Sequence, residues 1–168
     1  MEEKLQRSLV LLKPDALNRG LVGEILHRFE RVGLKIAGLK LIWSDKDTAL
    51  KHYSEDLAKR RGQKVRDLMV DMITSGPVVA IALEGVEAVE VVRKLVGETE
   101  PKVAAPGTIR GDFAHLSFSH ADKNQKAVFN LIHASSNTEE AALEINYWFL
   151  PYELQDYQPD YTHFTLLE

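Results

Sequence analysis

The sequence predicts one globular domain in which β-strands and α-helices share a core. Two observations predict it. A chain of 168 residues, 45% hydrophobic and 27% charged, is close to the size at which a single core suffices. Short apolar runs suited to buried strands also alternate along it with stretches whose apolar residues recur at helical spacing. The absence of cysteine excludes disulfides, thiolate nucleophiles and thiolate metal sites, and it suits a cytoplasmic home. A net charge of −4 gives no global positive field, so nucleic acid is an unlikely partner and an anionic ligand has to be met by a local cluster of cations. The apolar run from Leu9 to Leu12 is far too short for a signal or a membrane span, so a soluble, unprocessed chain is expected.

Taken in order, Ser8 to Leu12 is a buried strand that stops at Lys13, because Pro14 holds the residue before it extended. Leu21, Val22, Ile25, Leu26, Phe29 and Val32 mark one face of a helix that Gly33 ends. Leu34 and Ile36, then Leu39, Leu41 and Trp43 on the opposite parity, predict a strand with a bulge at Ala37-Gly38. Ser44 and Asp45 are cap candidates for a helix that carries Leu50, Tyr53 and Leu57, with Tyr53 read as packing. The basic stretch Ala58 to Lys64 reads as a surface loop and Val65 to Thr74 as a helix. Val78 to Leu83 is apolar throughout, as a central strand requires. The helix Val86 to Val96 leaves Arg93 beside its apolar stripe, where an arginine buries its stem and presents its guanidinium. Gly97 to Asp112 reads as an irregular functional loop, and Phe113, Ala114, Leu116 and Phe118 as a strand.

The chemistry gathers around Asn130 to Asn137, NLIHASSN, with His133 near its centre. A neutral imidazole is a nucleophile for a phosphoryl group or a proton, although a lone histidine is more often structural. The following helix supplies a reason to favour chemistry. Asn137 with Glu140 three residues on is an N-cap and capping box, so the helix begins at Thr138 and Glu144 shares its apolar face with Ala141, Ile145 and Trp148. A carboxylate on such a face needs a partner, and His133 is the natural one; the pairing would fix one ring nitrogen and free the other. Lys13 at a strand tip is a candidate cation, while Thr99, Thr108 and Arg110 offer hydroxyls and a bidentate fork suited to phosphate oxygens.

Several segments, in order and over nearly the whole length, carry a family resemblance: KPDALNRGLVGEIL, HY, SGPVVAIALEG, VVRKLVGET, PGTIRGDF, NLIHAS, and WF followed by EL. The chain resembles the nucleoside diphosphate kinases. The resemblance implies a ferredoxin-like α+β domain over residues 1–168, a four-stranded antiparallel sheet with helices on one face. It implies transfer of the γ-phosphate of a nucleoside triphosphate such as ATP to a nucleoside diphosphate, by a ping-pong route through a phosphohistidine, with Mg²⁺. Matched position by position, His133 is the phosphorylated residue, Glu144 orients it, and Tyr53 packs near it. Lys13, Arg93, Thr99 and Arg110 form the phosphate-binding set, Asn130 meets the sugar hydroxyl, and Ser135, two residues after the histidine, belongs with these nucleotide-binding residues. The family also implies a homo-oligomer, a hexamer or a tetramer of dimers. The aromatic tail after Pro151 is a candidate for packing on a neighbouring subunit, as an edge strand is for pairing across a two-fold axis.

Three departures stand out. Arg60-Arg61-Gly62-Gln63 replaces the family's base-stacking aromatic, which leaves arginine stacking as an alternative. An extended segment at about 113–129, expected to hold a hairpin or loop near the nucleotide, brings His115 and His120, read as surface residues. Ala134 and Ser136 stand where glycine and aspartate are usual. Two other readings of the chain are a phosphohistidine relay without nucleotide turnover and a nucleic-acid binder using the basic loop. The joint presence of Lys13, Arg93, Arg110, Asn130 and Glu144 favours the enzyme.

Overall fold

A computed structural model describes residues 5–166 of the chain. In chain order the elements are β1 (Gln6–Leu12), α1 (Pro14–Asn18), α2 (Val22–Glu30), β2 (Lys35–Trp43), α3 (Lys46–His52), α4 (Glu55–Arg61), α5 (Gln63–Thr74), β3 (Pro77–Gly85), α6 (Ala88–Val96), α7 (Ile109–Phe113), α8 (Phe118–Lys123), β4 (Ile132–Ala134), α9 (Thr138–Trp148) and α10 (Thr162–Thr165). The strands form one sheet in the order β2-β3-β1-β4, every pair antiparallel, which is the ferredoxin-like α+β arrangement.

Helices cover both faces of this sheet, not one. The central strands explain why: β1 from Ser8 to Leu12 and β3 from Val78 onward are buried at every position, so both parities of side chain need a cover. Val10, Leu12, Val79, Ile81 and Leu83 pack with Ile25 and Phe29 of α2 and Val92 of α6. Leu9, Leu11, Val78, Ala80 and Ala82 pack with Ala49 of α3, Val70 and Ile73 of α5, and Ile145 and Trp148 of α9.

Local signals in the sequence set several boundaries. Asp45 caps α3 by accepting the Thr48 N–H at 2.7 Å, and the bulge in β2 falls between Ile36 and Gly38. The helix expected from Ser44 to Leu57 is broken at Tyr53-Ser54, because Ser54 is extended and starts α4. The expected loop at Ala58 to Lys64 is therefore helical up to Arg61, and only Gly62, at φ 94°, separates it from α5. No strand forms at Phe113 to Phe118. Thr108 caps α7 through the Gly111 N–H at 3.0 Å, and Ser117 caps α8 through the His120 N–H at 3.1 Å, so the extended segment carries a short helix where a hairpin or loop was expected. The sheet edge it would have occupied belongs to β4. The tail after Pro151 lies on its own chain, where the Gln155 N–H donates to the Ala37 carbonyl at 2.7 Å and the Tyr157 hydroxyl to the Ile36 carbonyl at 3.2 Å.

Phe29 is fully buried in the cluster under α2 and α6. Phe29→Ala should lower the free energy of unfolding by about 3–5 kcal/mol in a urea titration followed by circular dichroism, and a loss under about 1 kcal/mol would contradict this packing.

Candidate active site

The site lies at one end of the sheet, where β1 finishes and β4 pairs with it. Lys13 follows β1, and its backbone N–H donates to the Leu131 carbonyl at 2.8 Å. Leu131 has φ 70°, a left-handed conformation costly for a branched residue, and Asp15 steadies it by accepting its N–H at 2.9 Å. This turn lets Asn130 face Lys13 while Ile132 and His133 enter the sheet, with His133 paired to Leu11.

All the expected site residues except Ser135 line one cleft of about 900 Å³, a volume suited to a nucleotide-sized ligand. Lys13 is 2% exposed and donates from Nζ to Asn130 Oδ1 at 2.7 Å. Burial, and then the charge of Arg110, lower its ammonium to about 7, against the opposing pull of Asp15. Asn130 also donates to the Thr99 carbonyl at 2.8 Å, which ties the cation to the loop after α6. Arg110 is anchored on three carbonyls: Nε to Asn130 at 3.3 Å, one terminal nitrogen to Gly97 at 3.0 Å, and the other to Ile132 at 2.6 Å. Burial and the neighbouring Arg93 lower its guanidinium to about 10. The anchoring needs close backbone contacts. A Cβ on Gly111 would fall 2.0 Å from the Ala105 carbonyl oxygen, and one on Gly97, at φ 83°, would meet Thr108 Oγ1 at 2.5 Å. Arg93 and Thr99 remain exposed on the wall of the cleft.

His133 and Glu144 meet as the sequence predicts. Nε2 of His133 is 2.9 Å from Oε1 of Glu144, so Nδ1 is the ring nitrogen not turned to the carboxylate, and the side chain keeps 22% of its surface exposed. The helix signals hold in part: the Asn137 side chain accepts the Glu140 N–H at 2.8 Å, but the Glu140 carboxylate accepts the Ser136 hydroxyl and so does not close the capping box. Burial pushes the Glu144 carboxyl up, yet the His133 ring, then His52 and the Ser135 hydroxyl, outweigh it and hold it at about 2.

Ser135 is placed differently from the nucleotide-contacting role the resemblance implies. It is fully buried behind Glu144, donates to Oε2 at 2.6 Å and accepts the Leu9 N–H at 3.1 Å. It therefore supports the carboxylate. Tyr53 lines the cleft, 7% exposed, with a hydroxyl that has no protein partner among the described residues; burial and the negative charge of Glu144 raise its pKa. His52 is the site residue that sequence reasoning missed. It ends α3 with its side chain 1% exposed, Nδ1 3.6 Å from Glu144 Oε1, and its ring edge-to-face with His133 at 4.3 Å. The adjacent pair His52-Tyr53 was the available signal. Arg60 and Arg61 lie on the rim, where Arg60 pairs with Asp56 at 2.6 Å, and His115 and His120 are exposed.

The arrangement offers a free imidazole nitrogen beside a carboxylate and faces it with three cations, which is chemistry for moving a phosphoryl group. Among the described residues, no helix is long and apolar enough to cross a membrane.

Residues 6–154 match the family model described as nucleoside diphosphate kinase. A nucleoside diphosphate kinase from Borreliella burgdorferi is 45% identical over 157 residues, covering 93% of this chain and 94% of that protein. One from Pyrococcus horikoshii is 51% identical over 152 residues, covering 90% of each. Among solved structures, a transition-state mimic of the Borrelia burgdorferi nucleoside-diphosphate kinase with bound vanadate and ADP superposes with a TM-score of 0.94 at 43% identity, covering 96% of this chain and 97% of that one. A halophilic nucleoside diphosphate kinase from Halobacterium salinarum in complex with CDP superposes with a TM-score of 0.82 at 38% identity, covering 96% and 99%. With its fold and nearly its whole length matched, the chain belongs to the nucleoside diphosphate kinase family and is a phosphotransferase acting between nucleoside tri- and diphosphates.

Proposed function

We propose that Nδ1 of His133 is the atom that carries the phosphoryl group. The observation that supports this is the contact of Nε2 with Glu144, which leaves Nδ1 for the cleft. In the first half-reaction the Nδ1 lone pair forms the N–P bond as the bond from the γ-phosphorus to its bridging oxygen breaks, and the nucleoside diphosphate leaves with that electron pair. The second half reverses these steps onto another diphosphate. The anionic Glu144 at Nε2 stabilises the positive ring that phosphorylation creates, while Lys13, Arg93 and Arg110 meet the equatorial oxygens of a loose transition state. The unpartnered Tyr53 hydroxyl is a ready donor to the same oxygens, and Asn130, already holding Lys13, faces the sugar. Thr99 completes the phosphate set. In this reading one catalytic domain spans the chain.

The cleft fits Mg²⁺ through its oxygen donors: Glu98 and Glu140 line it, and the nucleotide phosphates supply the rest, as a hard cation that keeps its waters prefers. The nitrogen-rich group of His52, His133 and Glu144 does not suit that ion. Bound with the nucleotide, Mg²⁺ neutralises phosphate charge. A cytoplasmic location, suited to a chain without cysteine, belongs to the same reading.

A homo-oligomer is the assembly we infer from β2. It is an edge strand, and Leu39, Leu41 and Trp43 lie 50%, 67% and 65% exposed along it beyond the point where the tail covers Ala37. Pairing across a two-fold axis would bury them. Leu41→Asp should shift the mass in sedimentation equilibrium toward the monomer, and an unchanged mass would rule out this edge as the interface.

Incubation with γ-labelled ATP and Mg²⁺ should place acid-labile, base-stable label on the wild-type protein and none on His133→Ala, and added GDP should remove the label. Label that persists on His133→Ala would overturn the assignment. Lys13 gives a second test. Burial and Arg110 lower its ammonium to about 7, and bound phosphates would raise it, so at pH 8 nucleotide binding should draw in close to one proton. Calorimetric titration of ADP in two buffers of different ionisation enthalpy reads this uptake, which Lys13→Met should abolish.

A further inference from the structure

His52 presents a puzzle that the reaction does not explain. Its side chain is 1% exposed, and Nε2 has no partner among the described residues, an arrangement an apolar residue of similar size would avoid. Its other nitrogen is engaged: the Trp148 indole N–H donates to Nδ1 at 3.4 Å. A nitrogen that accepts a hydrogen bond carries its lone pair there, so the ring proton resides on Nε2.

The consequence concerns Glu144. Nδ1 of His52 stands 3.6 Å from Oε1 of Glu144, while Nε2 of His133 stands 2.9 Å from the same oxygen. The opposite His52 tautomer would carry a proton on Nδ1 and turn it on that oxygen, in competition with His133. We propose that Trp148 locks His52 in its Nε2–H tautomer, and that His52, so locked, is a positioning residue that leaves Glu144 Oε1 to His133 alone.

The surrounding geometry fits this role. Ser135 already occupies Oε2, so Oε1 is the oxygen left for a ring nitrogen. The imidazole of His52 stands edge-to-face on His133 at 84° and on Tyr53 at 73°, which fixes the plane of the nucleophilic ring from α3 while the carboxylate fixes it from α9. The charged and titratable groups facing His52 are His133, Glu144, Lys13 and Tyr53. Burial, then the adjoining His133 ring, keep its pKa well below the usual histidine range against the pull of Glu144, with Lys13 adding to the lowering. A charged His52 would donate from both nitrogens and defeat the lock.

This inference rests on the reading of His133 as the phosphorylated residue, but its first test does not. ¹⁵N spectra of the imidazoles in the wild-type protein should show His52 with a protonated Nε2 and a bare Nδ1, unchanged between pH 8 and 5.5. A protonated Nδ1, or titration within that range, overturns the proposal whatever the enzyme does. Kinetics supply the second test. Trp148→Phe removes the lock and should lower kcat about tenfold with KM within about twofold, the scale of one lost hydrogen bond to a reacting group. Adding His52→Leu removes the competing donor and should recover most of that loss. Additive losses in the double variant would mean that both residues serve packing only. A failure of the phosphohistidine reading itself would appear separately, as label that persists on His133→Ala.

Discussion

A carboxylate buried at one end of a sheet is the constraint around which this molecule is arranged. Glu144 is 8% exposed, on the apolar face of α9, and such a group is tolerated inside a protein only when its oxygens are occupied. Ser135 takes one oxygen and His133 approaches the other. Ser135 is pinned in turn by the β1 backbone at Leu9. The demands of one buried charge therefore join α9, β1 and β4, and the nucleophile is oriented by the same contacts that make the charge bearable.

Across the cleft the fold meets the converse problem with cations. Lys13 and Arg110 are almost completely buried, each close to a like charge, and their proton affinities are depressed as a result. Carbonyls at Gly97, Asn130 and Ile132 hold the guanidinium, and the amide of Asn130 holds the ammonium. Fixed donors of this kind need little rearrangement when an anion arrives, which is how an acidic chain can hold a polyphosphate. The left-handed Leu131 is the local strain that lets both sets of contacts form around one turn.

Much of this was legible in the residues. The Asn137 cap and the apolar face of α9 located Glu144, and the continuous run Val78 to Leu83 located a central strand, because both signals depend on a few adjacent side chains. The coverage of both sheet faces was written in the same run, whose two parities are equally apolar. Other features were not legible. Nothing near Phe113 tells that Thr108 and Ser117 will outcompete a strand by capping short helices, and β4, with three residues, is too short to show a period. Ser135 matches its family position, yet only packing against Leu9 and Glu144 turns it away from the cleft. His52 carried no periodic signal, and its importance comes from neighbours on β4 and α9.

The pairing of β4 with β1 has a bearing on how activity can arise at all. Lys13 and Asn130 touch although 117 residues separate them, and the nucleophilic ring enters the sheet opposite Leu11. Contacts that close so long a loop carry the entropy of that closure, which the packing of the intervening strands and helices offsets. The site is thus a product of the finished topology: a chain emerging from the ribosome, or one with an unravelled sheet edge, holds the same histidine with neither its carboxylate nor its cations. Such a histidine lacks the oriented carboxylate and the fixed cations that phosphoryl transfer draws on.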